Sequence, residues 1–493
     1  MDKSWANSLD LHLDVARPRV RAGLEAALRE AVRSGRLRSG TRLPPSRSLA
    51  ADLGVARNTV ADAYSQLVAE GWLTGRTGAG TWVSDQPPPA SQPAGPALPS
   101  TASAGAPPAG PAPGTTPAGT APQGTAPQAG APRYDLRPGM GDLAAFPRRA
   151  WLAAARKAVN AAPDRLLGYP DPRGLPQLRQ ALAGYLARAR GVVTGPERIV
   201  ICAGFTHGLA LLCQVLQARG GSTIAVEAYG HAAHRSLAAA HGLRPVPLPV
   251  DGGGAVVTGL AEAAACLLTP AHQFPLGVTL DPARRRAVTG WAARTGGLVI
   301  EDDYDGEFRY DRQPVGAMQA LAPDRVAYAG TASKSLVPGL RLGWLVVPAS
   351  LLEEAVAAKQ ASGAAASALA ELTLAEFISS GAYDRQVRLA RLSYRRRRDR
   401  LIAALRERAP QVRVTGIAAG LQALLELPPG QPEEEIERRA AARGVSVHGL
   451  ASYRAAEPDG HRPALVVGYA RPPEHAFTTA LARLCAALAG PAA

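Results

Sequence analysis

Three short stretches of this chain carry side chains that could do chemistry together. The stretch GTASKSLVPGLRLGW, Gly330 to Trp344, contains Lys334, and lysine is scarce: Lys3, Lys157, Lys334 and Lys359 stand against 51 arginines. A position needing only positive charge would take arginine in such a chain, because a guanidinium stays protonated and presents a planar fork of donors. An amine can instead lose its proton and condense with an aldehyde. Hydroxyls flank Lys334 at Thr331, Ser333 and Ser335, and Arg341 lies seven residues on. In EDDYDGEFRY, Asp302 and Tyr304 are two apart, so an extended backbone puts both side chains on one side. In AGFTHGLALL, Gly204, Phe205 and Thr206 fall between a strand and a helix, where free N–H groups and the helix dipole suit a phosphate. Amine, phosphate-binding groups and carboxylate together meet the needs of pyridoxal 5'-phosphate. The carboxylate pairs the pyridinium nitrogen, and the lysine holds the aldehyde as a Schiff base.

These groups need a scaffold. From Tyr134 to Ala493, helical runs alternate with the short apolar strings ERIVICAG, STIAVEA, ACLLTPA, GLVIEDD, RVAYAGT and LGWLVVP. The alternation predicts an α/β fold with a largely parallel sheet, and the polar stretches sit at strand ends, where such a sheet presents its ligand crevice. Ahead of it, Gln86 to Pro132 is Ala, Pro, Gly, Thr, Ser and Gln with one Leu and no charge. That composition cannot bury enough apolar surface to offset its ordering entropy, so residues 86–132 are expected to be a disordered linker. Coil statistics give it a span of roughly 40 Å or more. Residues 1–85 read as a compact helical unit with a hairpin. Val20, Leu24, Ala27, Leu28, Ala31 and Val32 recur at helical spacing. LPPSRSLAADLGVARNTVADAYSQLVAEGWL then gives a short helix with Ser46 as its N-cap, a turn at Gly54 and a longer helix from near Ala56 to Gly71. TGRTGAGTWV follows as a hairpin wing.

The string G-x-L-x-x-G-x-x-LPPSR-x-LA-x-x-LGV-x-R-x-T-V-x-x-AY-x-x-L-x-x-EG resembles the GntR-type winged helix over nearly all of residues 15–85. The resemblance implies that the second helix of the pair enters the major groove of a double-stranded DNA operator. It places Arg47, Arg57, Asn58 and Thr59 at phosphates or bases, with Arg76 and Gly78 in the wing. Arg57 and Asn58 are the expected base readers, because Arg pairs with guanine and Asn with adenine through two hydrogen bonds.

TPAHQFPLG, EDDYDGEFRY and GTASKSLVPGLRLGW together resemble fold-type I aminotransferases across residues 133–493, with a large subdomain followed by a small one. Their order behind a winged helix resembles the MocR-type subfamily of GntR regulators. The resemblance implies that Lys334 is the Schiff-base lysine, that Asp302 partners the ring nitrogen and that Tyr304 donates to the ring hydroxyl. Thr331, Arg341 and the backbone of Gly204, Phe205 and Thr206 would hold the phosphate. His272 and Gln273 occupy the stretch where the family keeps an asparagine near the ring, and His231 stands in place of a tyrosine, with Tyr229 close by. In LVVGYA, Val466 stands where aminotransferases place the arginine for the substrate carboxylate. Without that charge-assisted anchor, little or no transaminase turnover is expected. The expectation is therefore a transcription regulator whose aminotransferase-like domain senses pyridoxal phosphate and controls vitamin B6 synthesis. A regulator answering to an amine or amino acid, and an active aminotransferase fused to a DNA-binding module, are the alternatives. The family implies a head-to-tail homodimer in which each winged helix packs on the partner's large domain.

Composition sets outer limits. The net charge of +15 is not concentrated at the front, since residues 1–85 hold 12 Lys and Arg against 9 Asp and Glu. Much of the surplus lies in RQVRLARLSYRRRRDR, Arg385 to Arg400, read as a helix with a solvated basic face. Cys202, Cys213, Cys266 and Cys485 form no CxxC pair, which supports neither a zinc site nor a disulfide framework. No apolar run is long enough for a membrane span, so a cytoplasmic protein with no metal is expected.

Overall fold

The computed structural model describes residues 20–33, 37, 39–53, 55–76, 80–84, 133–260, 262–310, 315–455 and 462–489. The expected linker and Gly78 lie outside them. Helices α1 (Val20–Arg33), α2 (Ser46–Leu53) and α3 (Arg57–Ala69) precede an antiparallel hairpin, Leu73–Arg76 with Gly80–Val83. Ser46, expected as an N-cap, is instead the first helical residue. Leu24, Leu28 and Ala31 of α1 meet Leu49 of α2 and Val60, Ala63 and Leu67 of α3, spacings of three and four that put one apolar stripe on each helix. Arg29 grips Glu70 through two hydrogen bonds of 2.7 and 2.8 Å, pinning α1 to the end of α3. The same apolar cluster continues into the large domain through Trp291 and Met318, so the winged helix packs on its own chain's large domain, where the resemblance implied the partner's.

A seven-stranded sheet forms the large subdomain. Its strands in chain order are β1 (Ile199–Cys202), β2 (Thr223–Glu227), β3 (Arg244–Leu248), β4 (Ala265–Leu268), β5 (Leu298–Asp302), β6 (Val326–Thr331) and β7 (Gly343–Val346). Spatially they run β1-β7-β6-β5-β4-β2-β3, and only β7 is antiparallel to its neighbours. The central strands β7, β6, β5, β4 and β2 are buried from end to end, as a sheet covered by helices on both faces requires. Six of the seven match the apolar strings. The seventh, β3, reads RPVPL; its two prolines cannot donate to a ladder and hide the strand in sequence, and they confine it to the sheet edge where it is found.

The small subdomain has a four-stranded antiparallel-paired sheet, in the order Arg413–Thr415, Gln422–Glu426, Ala464–Gly468 and His448–Gly449. Helices Ala382–Arg408, Glu433–Ala442 and Glu474–Leu488 pack beside it, with Phe477, Leu481 and Leu484 in the shared core. Tyr134–Asp135 pairs in parallel with Val445–Ser446, so the chain enters this domain through the small subdomain. Among the described residues no helix is long and apolar enough to cross a membrane.

Candidate cofactor site

A cavity of about 250 Å³ opens at the carboxyl ends of the parallel strands. Lys334, Asp302, Tyr304, Thr331, Arg341, Gly204, Phe205, Thr206 and His231 all line it. The strand order explains the convergence: Gly204 follows β1, Arg341 leads into β7, Thr331 ends β6 and Asp302 ends β5, so residues distant in sequence meet along four neighbouring strands. Gly204 caps helix Phe205–Ala218 with φ +89°, and a Cβ there would stand 3.5 Å from the Arg341 guanidinium. Arg341 itself holds φ +51° and is the one non-glycine residue in the left-handed region among those described. Gly343 carries no side chain because a Cβ would press to 2.9 Å from the Gly204 Cα. The Thr331 hydroxyl accepts from the Ser333 N–H at 3.1 Å and lies 2.8 Å from the Ser333 hydroxyl.

Two polar groups in this cavity lack partners. Among the described residues, nothing donates to the buried Asp302 carboxylate, and the Arg341 guanidinium has no hydrogen bond or ion pair. Burial pushes the Asp302 carboxyl well above its usual range, against the pull of the Lys334 charge. Burial also holds the Lys334 amine below the ordinary lysine value, opposed by Asp302 and Asp305. The amine donates to the Gly139 carbonyl at 2.5 Å. An unpartnered buried carboxylate calls for a cationic N–H, and the exposed Arg341 guanidinium beside a helix N-terminus suits an anion. Pyridoxal phosphate supplies both, and its aldehyde faces an amine biased towards its neutral form, so the residues present fit this group.

The aromatic walls are specific. His231 stacks on Phe274 with ring centres 4.2 Å apart, and His234 packs against Phe205 at 4.9 Å. The Tyr304 hydroxyl accepts from the Gln422 amide at 2.9 Å and lies 3.1 Å from His272 Nδ1, which is held by Asp305 at 2.7 Å. Gln273 departs from expectation. It is fully buried behind the cavity, where its amide nitrogen donates to the carbonyls of Tyr229 and Phe274 and to Glu227. Its side chain braces the wall and does not face the cavity.

Sequence reasoning passed over Glu227, His234, Arg235, Thr269 and Phe274, which also line the cavity. Glu227 ends β2, a position comparable to Asp302 on β5, and that parallel could have flagged it. Its carboxylate accepts from the Thr269 hydroxyl at 2.5 Å, yet burial raises its pKa to about 7 from the ordinary 4.5. Between those values the folded protein binds a proton that the unfolded chain does not. That contribution is complete below pH 4.5 and is lost as pH rises through 7, at about 1.4 kcal/mol per pH unit for one group. Glu301 and Glu307, also raised to about 7 by burial, add to the same trend. Glu227→Gln is expected to flatten the decline in stability over this window, as read from denaturant midpoints at a series of pH values.

The carboxylate position is apolar in three dimensions as well. Val466 is completely buried with Tyr229, Phe274, Leu424 and Tyr453, and Tyr304 packs against this cluster. Arg471 is committed to Asp135 at 2.7 Å, and Arg462 is exposed. Arg235 spends its guanidinium on the carbonyls of Gly230, Tyr453 and Arg454.

In the winged helix, Arg47, Arg57 and Asn58 are exposed and Thr59 is half-buried. Arg76 ends the first hairpin strand. The Arg42 guanidinium, not singled out by spacing, lies 5.6 Å from the Trp82 ring on the second hairpin strand.

Residues 139–455 match the family Aminotransferase class I and II, and residues 21–83 match Bacterial regulatory proteins, gntR family. The chain is 33% identical over 423 residues to the probable rhizopine catabolism regulatory protein MocR of Rhizobium meliloti, covering 85% of this chain and 84% of the relative. It is 32% identical over 431 residues to the HTH-type pyridoxine biosynthesis transcriptional regulator PdxR of Corynebacterium glutamicum, covering 87% and 88%. The chain belongs to the MocR-type subfamily of GntR transcription regulators. The fold of this regulator's large domain is that of an archaeal alanine:glyoxylate aminotransferase, with a TM-score of 0.65 at 25% identity over 73% of this chain and 91% of that one. Pyridoxal 5'-phosphate is the cofactor of such a domain.

Proposed function

We propose that this regulator senses pyridoxal phosphate itself and controls vitamin B6 synthesis through its DNA-binding domain. The observation that carries this reading is the buried Val466: the cavity has groups for the cofactor but no cation at the position that would orient a substrate carboxylate. When bound, the cofactor supplies an electrophilic aldehyde and an electron-withdrawing ring. Lys334 would hold the aldehyde, Asp302 would pair the ring nitrogen and Tyr304 would donate to the ring hydroxyl. Arg341, Thr331 and the backbone of Gly204, Phe205 and Thr206 would hold the phosphate, and His231 would pack against the ring. An amino acid entering this site gains no charge-assisted anchor, so its Cα–H bond is not held over the ring and turnover is slow or absent. The similarity to a regulator named for pyridoxine biosynthesis supports the choice of effector. Arg57 and Asn58 read bases and Arg47 and Thr59 contact phosphates, with the protein acting in the cytoplasm as a homodimer.

Regulation requires that the ligand favour one arrangement of the domains over another. Binding to a duplex selected by the full-length protein from a random-sequence pool, measured with and without pyridoxal phosphate, is expected to differ about 5-fold or more. Lys334→Ala should respond only weakly, and Arg57→Ala should lose about 1–3 kcal/mol of discrimination at the base it reads. A wild type whose DNA affinity ignores pyridoxal phosphate but responds to an added amine or amino acid would overturn the choice of effector. Rapid conversion of amino acids to keto acids would overturn the regulator without turnover.

A further inference from the structure

Helix Ala382–Arg408 carries ten arginines against three acidic residues, Asp384, Asp399 and Glu407. Some of that charge is spent on structure. Arg397, fully buried, donates to Asp142, to Glu474 and to the carbonyls of Ala470 and Pro472. Arg400 reaches Glu474, and Arg391 donates to the Glu307 carbonyl. Arg385, Arg388, Arg395 and Arg396 are different: all four are exposed, and none has a side-chain hydrogen bond or ion pair among the described residues. At 3.6 residues per turn they fall within one arc of about 120° and span roughly 16 Å along the axis. Leu389 and Leu392 share the arc, 58% and 57% exposed, and between Arg385 and Arg400 Asp399 is the only acidic residue on it.

The arc also has a telling position. Asp384 and Arg391, on the adjoining side of the helix, line a groove whose other wall is the winged helix, through Arg21, Glu25 and Arg29 of α1 and Thr59 of α3. The four arginines therefore run alongside the DNA-binding domain. A solvated basic face normally carries interspersed acids at i+3 or i+4 to relieve self-repulsion, and this one carries a single aspartate. Duplex DNA, with one charge per about 1.7 Å of axis, is the complementary polyanion next to this surface.

We infer that the arc formed by Arg385, Arg388, Arg395 and Arg396 binds DNA phosphates flanking the operator, extending the footprint of the winged helix onto the aminotransferase-like domain. The inference rests on DNA binding by the winged helix. Phosphate contacts add affinity without sequence information and steepen its dependence on salt, by about 0.9 in the log–log slope per phosphate neutralised.

The test uses the full chain and a duplex that it selects from a random-sequence pool, either trimmed to about 20 bp or extended to about 50 bp with unrelated flanks. The wild type should bind the longer duplex more tightly and with a steeper salt dependence. The combined variant Arg385→Gln, Arg388→Gln, Arg395→Gln, Arg396→Gln should keep the affinity for the short duplex. On the long duplex its slope should fall by about 3 to 4. An unchanged slope on the long duplex would overturn the inference. So would a variant that changes oligomeric state in sedimentation with no change in salt slope, since the face would then join copies of this chain. A wild type that binds neither duplex would overturn the winged-helix reading itself, a result distinct from loss of the flank effect alone.

Discussion

Lys334→Ala is expected to abolish the visible absorption that develops when the wild-type protein is given pyridoxal phosphate. The amine is poised for capture: burial lowers its pKa, and the Gly139 carbonyl fixes its direction. No other described lysine can substitute. Lys157 is exposed and paired with Glu376, and Lys359 is buried on a separate helix, outside the residues that line the cavity. Lys334→Arg should lose the band as completely as the alanine variant, since a guanidinium keeps the charge but cannot be deprotonated to condense with an aldehyde. The pair of variants thus separates a chemical requirement from an electrostatic one. Residual non-covalent binding through Arg341 and Asp302 should remain detectable as a small ligand-induced rise in Tm. A Lys334→Ala protein that still develops the band would place the capture elsewhere.

The second large effect lies behind the cavity. Asp303, next to Asp302 at the end of β5, turns away from the cavity into a bidentate pair with Arg190 at 2.6 and 3.0 Å. Both side chains are about 2% exposed or less, and the Tyr328 hydroxyl donates to the same carboxylate at 2.8 Å. Arg190 also donates to the carbonyls of Gly306 and Val315. Arg190→Leu leaves a buried carboxylate with one hydroxyl donor, and removing one partner of such a pair costs about 3–5 kcal/mol. Denaturant unfolding should show that loss, and Arg190→Leu with Asp303→Leu should recover part of it, because no charge is then stranded. The consequence reaches the winged helix. Gly316, one residue beyond Val315, lies so close to α3 that a Cβ would stand 2.6 Å from the Glu70 carboxylate. Loosening this clamp should therefore alter how the winged helix packs as well as how stably the domain folds.

The fold was largely legible because its signals are local. Apolar strings bounded by turns mark six of the seven strands of the large sheet, and the helix-turn-helix follows from the short helix at Ser46, the turn at Gly54 and the longer helix from near Ala56. The edge strand β3 escaped because Pro245 and Pro247 contradict strand propensity, and only a place at the sheet edge removes the contradiction. Gln273 was placed in the cavity from its neighbourhood in sequence, but a one-residue difference in register decides whether a loop side chain faces a ligand or the wall behind it.

Sequence by itself determined the chemical types: an amine where arginine would otherwise stand, a carboxylate at a strand end, an arginine after a glycine turn and a valine where a carboxylate anchor would be. Residue identity constrains which reactions are possible, so these could be read without coordinates. Tertiary structure alone decided which polar groups are satisfied. It showed that Asp302 and Arg341 lack partners, that Arg235 is already committed, and that the exposed Arg385, Arg388, Arg395 and Arg396 have no carboxylate while Arg397, on the same helix, has two. Partnership depends on contacts between residues far apart in the chain, and those distances are set by packing.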